Sequence, residues 1–179
     1  MLLSLLEKRR SIRKFQNKPV ETEKIDQLIE AALRSPSSRG AEPWEFVVVT
    51  DREKIKNLSR AKAHGSAFLE NAPLCLVILA DPQRSDVWVE DASIASIIIH
   101  LSASSLGLGS CWIQIRKRAH NDSKTSEAFI QEILKIPENL SIESIVAIGY
   151  PDEQKTPHPK SKLKYEKISY NGYGIKKAE

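Results

Sequence analysis

Two cysteines, Cys75 and Cys111, are all that the 179-residue chain contains, and they form no Cys-x-x-Cys pair. Each lies inside an apolar stretch, so the expectation is a reduced core role in a cytosolic protein, not a disulfide or a thiolate metal site. The four histidines, His64, His100, His120 and His158, share no metal-ligand spacing. No Gly-x-x-x-x-Gly-Lys loop is present, which leaves nucleoside triphosphate hydrolysis without its phosphate cradle. No serine sits in a nucleophile elbow. Apolar runs of the roughly 18 residues that a membrane helix needs are also missing, because His100 and several serines interrupt the longest one. Met1-Leu2-Leu3-Ser4-Leu5-Leu6 meets Glu7 too soon for a secretory leader. A cytoplasmic protein follows as the expectation, with the Asn-x-Ser matches at Asn57, Asn121 and Asn139 chemically silent. Catalytic side chains are thus poorly provided, which points to a bound cofactor that carries its own chemistry.

What is present begins with the stretch from Val87 to Ile113. From about Glu90 to Leu106 it reads as one helix, with Glu90 and Asp91 in the first turn, where the helix dipole favours negative charge. Ala92, Ile94, Ala95, Ile97, Ile98, Ile99, Leu101, Ala103 and Leu106 leave it no polar face. The pattern is that of a buried central helix, not an amphipathic one, and His100 within it reads as a satisfied core histidine. Gly107 falls where a left-handed helix end is expected. Ser110 to Gln114 then reads as a short buried strand. Gly107-x-Gly109 is no dinucleotide fingerprint, since the glycines follow a helix and a third glycine is absent. Leu106-Gly107-Leu108-Gly109 suits a place where bare backbone approaches a flat ligand.

Hydrophobic residues make up 41% and charged residues 28%, the balance of an ordinary water-soluble domain. The length predicts one domain over residues 1–179, with 152–179 as an extended, polar, proline-dotted tail. Leu2 to Arg9 reads as a short helix that buries Leu2, Leu3, Leu5 and Leu6. Thr22 is placed to cap a second helix, in which Ile25, Leu28, Ile29 and Ala32 share a face. Trp44 to Thr50 is a strand, and Thr50 with Glu53 suggests a capping box for the next helix. Leu74 to Ala80 is apolar throughout, a strand covered on both faces. Residues 116–124 read as a basic surface loop, Ala128 to Leu134 as a helix, and Ile142 to Ile148 as the last strand. Helices alternate with strands, which predicts a layered α and β sandwich around one core.

Arg9, Arg10 and Arg13, with Ser11 among them, gather three guanidinium groups and a hydroxyl near a helix end. Two readings stand: a solvated basic turn, or a phosphate clamp in which guanidinium forks match phosphate oxygens. Lys160 and Lys162 repeat the basic character in the tail, where spacing of two points both amines the same way. The net charge of +4 and pI near 9.0 allow anions of any kind. A small basic nucleic-acid-binding protein using Arg9 to Lys14 and Arg116 to Arg118 is one alternative. Against it stands the aromatic content of 6%, with no basic face interleaved with aromatics.

Arg9-Arg10-Ser11-Ile12-Arg13-Lys14-Phe15 resembles the opening motif of the nitroreductase family of FMN-dependent oxidoreductases. Pro36-Ser37-Ser38-Arg39-Gly40-Ala41-Glu42-Pro43-Trp44 resembles the second motif, and Leu106-Gly107-Leu108-Gly109-Ser110-Cys111-Trp112-Ile113 the third. Gly149-Tyr150-Pro151 and Lys160-Ser161-Lys162 follow in order, so the resemblance covers nearly the whole chain. It implies an α+β sandwich, a central mixed β-sheet flanked by helices with a long buried central helix. It also implies FMN as cofactor, NADH or NADPH as electron donor, and a small acceptor such as a nitroaromatic or quinone, reduced by ping-pong hydride transfer. Arg9, Arg10, Ser11 and Arg13 would hold the phosphate and ribityl chain, helped by Lys160 and Lys162. Ser37, Ser38 and Gly40 belong to the loop that would approach the flavin from a partner subunit. Trp112, Ile113 and Gln114 would lie along the isoalloxazine, with Gln114 or its backbone near N5. For Trp112 and Ile113, core packing is an equally available role. The resemblance further implies a homodimer with flavin at the interface, no side-chain catalyst, and neither nucleic acid nor membrane as partner. A flavin-binding sensor or store without turnover is the remaining alternative. The second motif departs from the family where Gly40 replaces an Asn and Glu42 a Gln, which removes an amide donor. The short stretch between Gln114 and Phe129 implies an open site.

Overall fold

The computed structural model describes residues 2–177. In chain order the elements are α1 (Leu2–Lys8), α2 (Thr22–Leu33), β1 (Trp44–Val49), α3 (Arg52–Leu58), β2 (Leu74–Ala80), α4 (Trp88–Ser105), β3 (Gly109–Gln114), α5 (Ser126–Leu134) and β4 (Ser141–Gly149). The strands form one sheet in the order β1-β2-β4-β3. Every pairing of these strands is antiparallel, where the resemblance implied a mixed sheet. The chain leaves β2 through α4 and returns as β3, but β4 then inserts between the two and runs against both. Among the described residues a parallel element survives only as the isolated bridge Ser11–Ser110.

Alternation along β2 and β4 divides the core in two. Leu74, Leu76, Ile78, Val146 and Ile148 face Leu28 and Ala32 of α2 and Ala92, Ile99 and Ala103 of α4. Cys75, Val77, Leu79, Ile145 and Ala147 face the other way, onto Ile55 and Leu58 of α3 and Ile130 of α5. Both central strands are therefore covered twice, as their unbroken apolar runs require.

Several helix ends differ in detail from expectation. The cap of α3 is Asp51, not Thr50: its carboxylate accepts from the backbone N–H of Glu53 and Lys54 at 2.9 and 3.0 Å. Thr22 is the first residue inside α2 and does not cap it. Gly107 does close α4 as expected, at φ 74°, with Leu108 N–H donating to the Ala103 carbonyl at 2.9 Å.

Burial of the apolar helices is the larger correction. In one chain α1 has no buried residue, and Leu2 and Leu3 are 63% and 80% exposed. On α4, Ala92, Ala95, Ile99 and Ala103 are buried, yet Ile94 and Ile97 are exposed. The tail is clipped to the N-terminal segment by Asp152 N–H to the Lys14 carbonyl and His158 N–H to the Glu7 carbonyl. Beyond, it is less polar in effect than its composition suggested, for Leu163, Tyr165, Ile168, Tyr170, Tyr173 and Ile175 are all exposed. Among the described residues no helix is long and apolar enough to cross a membrane.

Candidate functional site

Strand β3 lies at the edge of the sheet, paired with β4 on one side. At its start the Ser110 carbonyl accepts from Ile12 N–H at 3.0 Å, while beyond its end Ile115 N–H donates to Glu143 of the β4 side at 3.0 Å. Backbone groups alternate direction along an antiparallel strand, so those of Trp112 and Gln114 point to the same open edge as Ser110. Unpaired edge groups of this kind are a ready set of donors and acceptors. Gly109 permits the arrangement, since a Cβ there would sit 2.9 Å from the Ile12 side chain. The segment carrying Arg9, Ser11 and Arg13 is thereby drawn against the edge strand.

A small cavity of about 150 Å³ opens at this junction, lined by Arg9, Arg10, Ser104, Gly109, Ser110 and Lys155 among others. Arg9 does not dangle in solvent. Its Nη1 lies 2.6 Å from His100 Nε2, and His100 Nδ1 lies 2.5 Å from Ser110 Oγ. A guanidinium can only donate, so Nε2 accepts and the imidazole proton rests on Nδ1, directed at the serine hydroxyl. Burial, then the Arg9 charge, push the His100 pKa down to about 4, so the ring is neutral near pH 7.

The other arginines differ. Arg10 Nη1 donates to the Thr156 carbonyl, which turns its head to the tail. The Arg13 guanidinium lies 5.6 Å from the Phe68 ring centroid. The Arg13 backbone N–H donates to Glu153 at 2.5 Å, the main reason that carboxyl is held below its usual range. Ser11 is half-buried beside Ser110, and burial pushes the Cys111 thiol up.

On β3, Trp112 is exposed, whereas the Ile113 side chain is buried in the core with Ile115 and Ile145. Its backbone groups, alternating with those of Trp112 and Gln114, point to β4, so Ile113 offers no free edge group either. The Gln114 side chain is also committed: its Nε2 donates to the Arg116 carbonyl at 3.1 Å and its Oε1 accepts from Arg118 at 2.7 Å. The side chain is therefore not free for the N5 contact that the resemblance implied.

The remaining expected residues are not brought to this junction within one chain. Ser38 N–H donates to Asp91 Oδ1 at 2.8 Å, and Ser37 Oγ accepts from Glu42 N–H at 2.9 Å. This pins the Ser37–Gly40 loop to the first turn of α4, about 14 Å along the axis from His100 at about 1.5 Å per residue. Gly40 itself takes φ 64°. Lys160 and Lys162 sit exposed on a short 3-10 turn, with no side-chain bond to Arg9–Arg13. Residue-by-residue reading missed His100 as a partner of Arg9. The signal was there, since a histidine in an apolar helix needs a polar partner for each ring nitrogen.

The Nitroreductase family profile matches residues 6–65 and 59–150. The structure is similar to that of an FMN-dependent nitroreductase from Clostridium difficile, with a TM-score of 0.94 and 49% identity over 96% of this chain and 99% of that one. It is also similar to the NADPH:FMN oxidoreductase of Vibrio harveyi complexed with NAD+, at TM-score 0.79 and 27% identity, covering 98% and 79%. In sequence, the chain is 38% identical over 157 residues to the Archaeoglobus fulgidus protein named "Putative NADH dehydrogenase/NAD(P)H nitroreductase", 86% of this chain and 87% of that one. The chain belongs to the nitroreductase family.

Proposed function

We propose that the protein is an FMN-dependent oxidoreductase that uses NADH or NADPH to reduce a small oxidised acceptor, such as a nitroaromatic or quinone, in a ping-pong cycle. The observation that carries this reading is the open backbone edge of β3, running from a cluster of phosphate-matching donors to an exposed indole. The residues present fit the group: Arg9 and Arg13 offer guanidinium forks for a phosphate, and Ser11 a hydroxyl. The backbones of Trp112 and Gln114 offer edge hydrogen bonds, and the Trp112 ring is a flat apolar surface. FMN, when bound, supplies the centre that accepts and returns the hydride. The chain's part is to hold and orient. Gly109-Ser110-Cys111-Trp112-Ile113-Gln114 contains no Asp, Glu, Lys or His, so no side chain of β3 is placed to act as a required acid or base.

We further infer a homodimer. Leu2, Leu3, Ile94, Ile97 and the apolar residues of the tail are uncovered in one chain, and a second copy covers them. The same partner brings its Ser37–Gly40 loop to the edge strand.

A purified protein with a yellow, flavin-type spectrum tests the cofactor. Mixing it rapidly with NADH or NADPH tests the cycle: the oxidised-flavin absorbance should fall before any acceptor is added. Colour that persists until acceptor is present overturns the ping-pong scheme and favours a store or sensor. Gln114→Ala should slow this reduction only slightly, because its side chain is tied to Arg116 and Arg118. Arg13→Ala should weaken FMN binding by about 1.5–3 kcal/mol, or one to two decades, without lowering the melting temperature. Lys162→Ala should act in the same direction but less, as a point charge without a fork. Equal FMN affinity in both variants and the parent, by fluorescence titration, removes the phosphate assignment.

A further inference from the structure

We propose that His100 is a positioning residue that fixes Arg9 for a phosphate and thereby makes the site select phosphorylated flavin over riboflavin. The inference rests on the FMN reading above and adds a residue to it that lies outside every motif of the chain.

Arg9 is half-buried at the end of α1, where a long side chain has many rotamers to lose on binding a ligand. His100 holds it in one of them. The ring is 5% exposed on α4, with Nε2 at 2.6 Å from Arg9 Nη1 and Nδ1 at 2.5 Å from Ser110 Oγ. Both ring nitrogens are therefore satisfied: the Arg9 donor requires Nε2 to accept, and the Ser110 hydroxyl receives the proton left on Nδ1. The chain of contacts links three elements, α1, α4 and β3, around the cavity that Arg9 and Ser110 line.

The chemical identity of the partner matters as much as its position. A carboxylate at the place of His100 would orient Arg9 equally well but would neutralise it. A neutral imidazole orients the guanidinium and leaves its positive charge unspent. The carboxylate lining the same cavity, Glu153, is already engaged by the backbone N–H of Arg13 and Lys14 and by Lys155 at 3.2 Å. The cavity thus presents an ordered, uncompensated cation, which is what a phosphate dianion rewards and a neutral ribityl terminus does not.

The test compares FMN and riboflavin affinity by flavin fluorescence titration on the full-length protein and its His100→Phe, His100→Gln and Ser110→Ala variants, with thermal melts as a check on folding. The parent should bind FMN more tightly than riboflavin. His100→Phe keeps the ring volume and removes the acceptor, so FMN affinity should fall about tenfold, the loss of one ordered charge-assisted contact, while riboflavin affinity is unchanged. His100→Gln restores an acceptor near the Nε2 position and should recover most of the loss. Ser110→Ala should lose part of it. Unchanged FMN-to-riboflavin preference in folded His100→Phe overturns the proposal, as does an equal loss for both flavins, which marks a merely structural histidine. Should His100→Phe fail to fold, Ser110→Ala decides, and an unaltered preference there overturns the proposal. A parent protein that binds no FMN overturns the proposed function itself, an outcome distinct from a parent that discriminates and a His100 variant that does so equally well.

Discussion

Ile97→Glu is expected to turn the protein into a folded monomer that loses its flavin. Ile97 is 45% exposed and Ile94 38% exposed on a helix whose other side is packed against the sheet. Neither side chain contributes to the core of its own chain, so the change leaves the fold intact; exposed glutamate is at home in a helix. In the proposed dimer both isoleucines are covered, and a carboxylate there is buried without a counter-ion. An uncompensated buried charge costs on the order of 3–5 kcal/mol, or about two to four decades in dissociation constant. A two-fold interface carries the substitution from both copies, so the effect is felt twice. Because the partner supplies the Ser37–Gly40 loop in this reading, flavin content should fall with dimer content. Light scattering and the flavin spectrum, measured on one sample over a dilution series, check both. A flavin-loaded monomer of the parent, or an Ile97→Glu dimer with full flavin content, defeats the interface proposal.

The second large effect falls on stability. Gly149→Ala should lower the melting temperature by about 5–10 °C, on a scale of roughly 2–4 °C per kcal/mol for a chain of this size. A Cβ at Gly149 would lie 2.5 Å from Pro73 Cδ, 2.8 Å from Pro73 Cγ and 3.1 Å from Phe15 Cδ1. The proline ring cannot rotate away, and Phe15 is buried and bridged to Pro151. Overpacking against such neighbours costs about 1–3 kcal/mol, and the rigid ring places this site at the upper end. Gly107→Ala provides the contrast: φ is 74° there, but no atom lies within 4 Å of the added Cβ. Its cost is backbone strain alone, roughly 1 kcal/mol. Calorimetry that ranks Gly107→Ala as the more damaging of the two would show that steric approach at the end of β4 does not govern the site. Phe15 follows Arg13 by two residues, so Gly149→Ala should also reduce FMN affinity.

Some of this protein is written locally in its sequence. Leu74–Ala80 is apolar at every position and had to be a strand covered on both faces, because no solvent-facing side remains. The left-handed end of α4 at Gly107 is likewise local, set by what one residue can adopt. The motif segments around Arg9, Ser37 and Trp112 were legible too, since they depend on residue identity and order.

Tertiary structure decided what depends on distance along the chain. No local pattern placed β4 between β2 and β3, so the antiparallel order of the sheet was invisible; pairing energy is nearly the same for several orders until loops and helices are fixed. The same holds for the pairing of Arg9 with His100, 91 residues apart, and for the commitment of the Gln114 amide to its own loop. Hydrophobicity told that α1 and α4 seek cover, but not which face finds it within the chain. Ala92, Ala95, Ile99 and Ala103 meet the sheet, while Leu2, Leu3, Ile94 and Ile97 stay open, because one small domain has only two sheet faces on which to bury its helices.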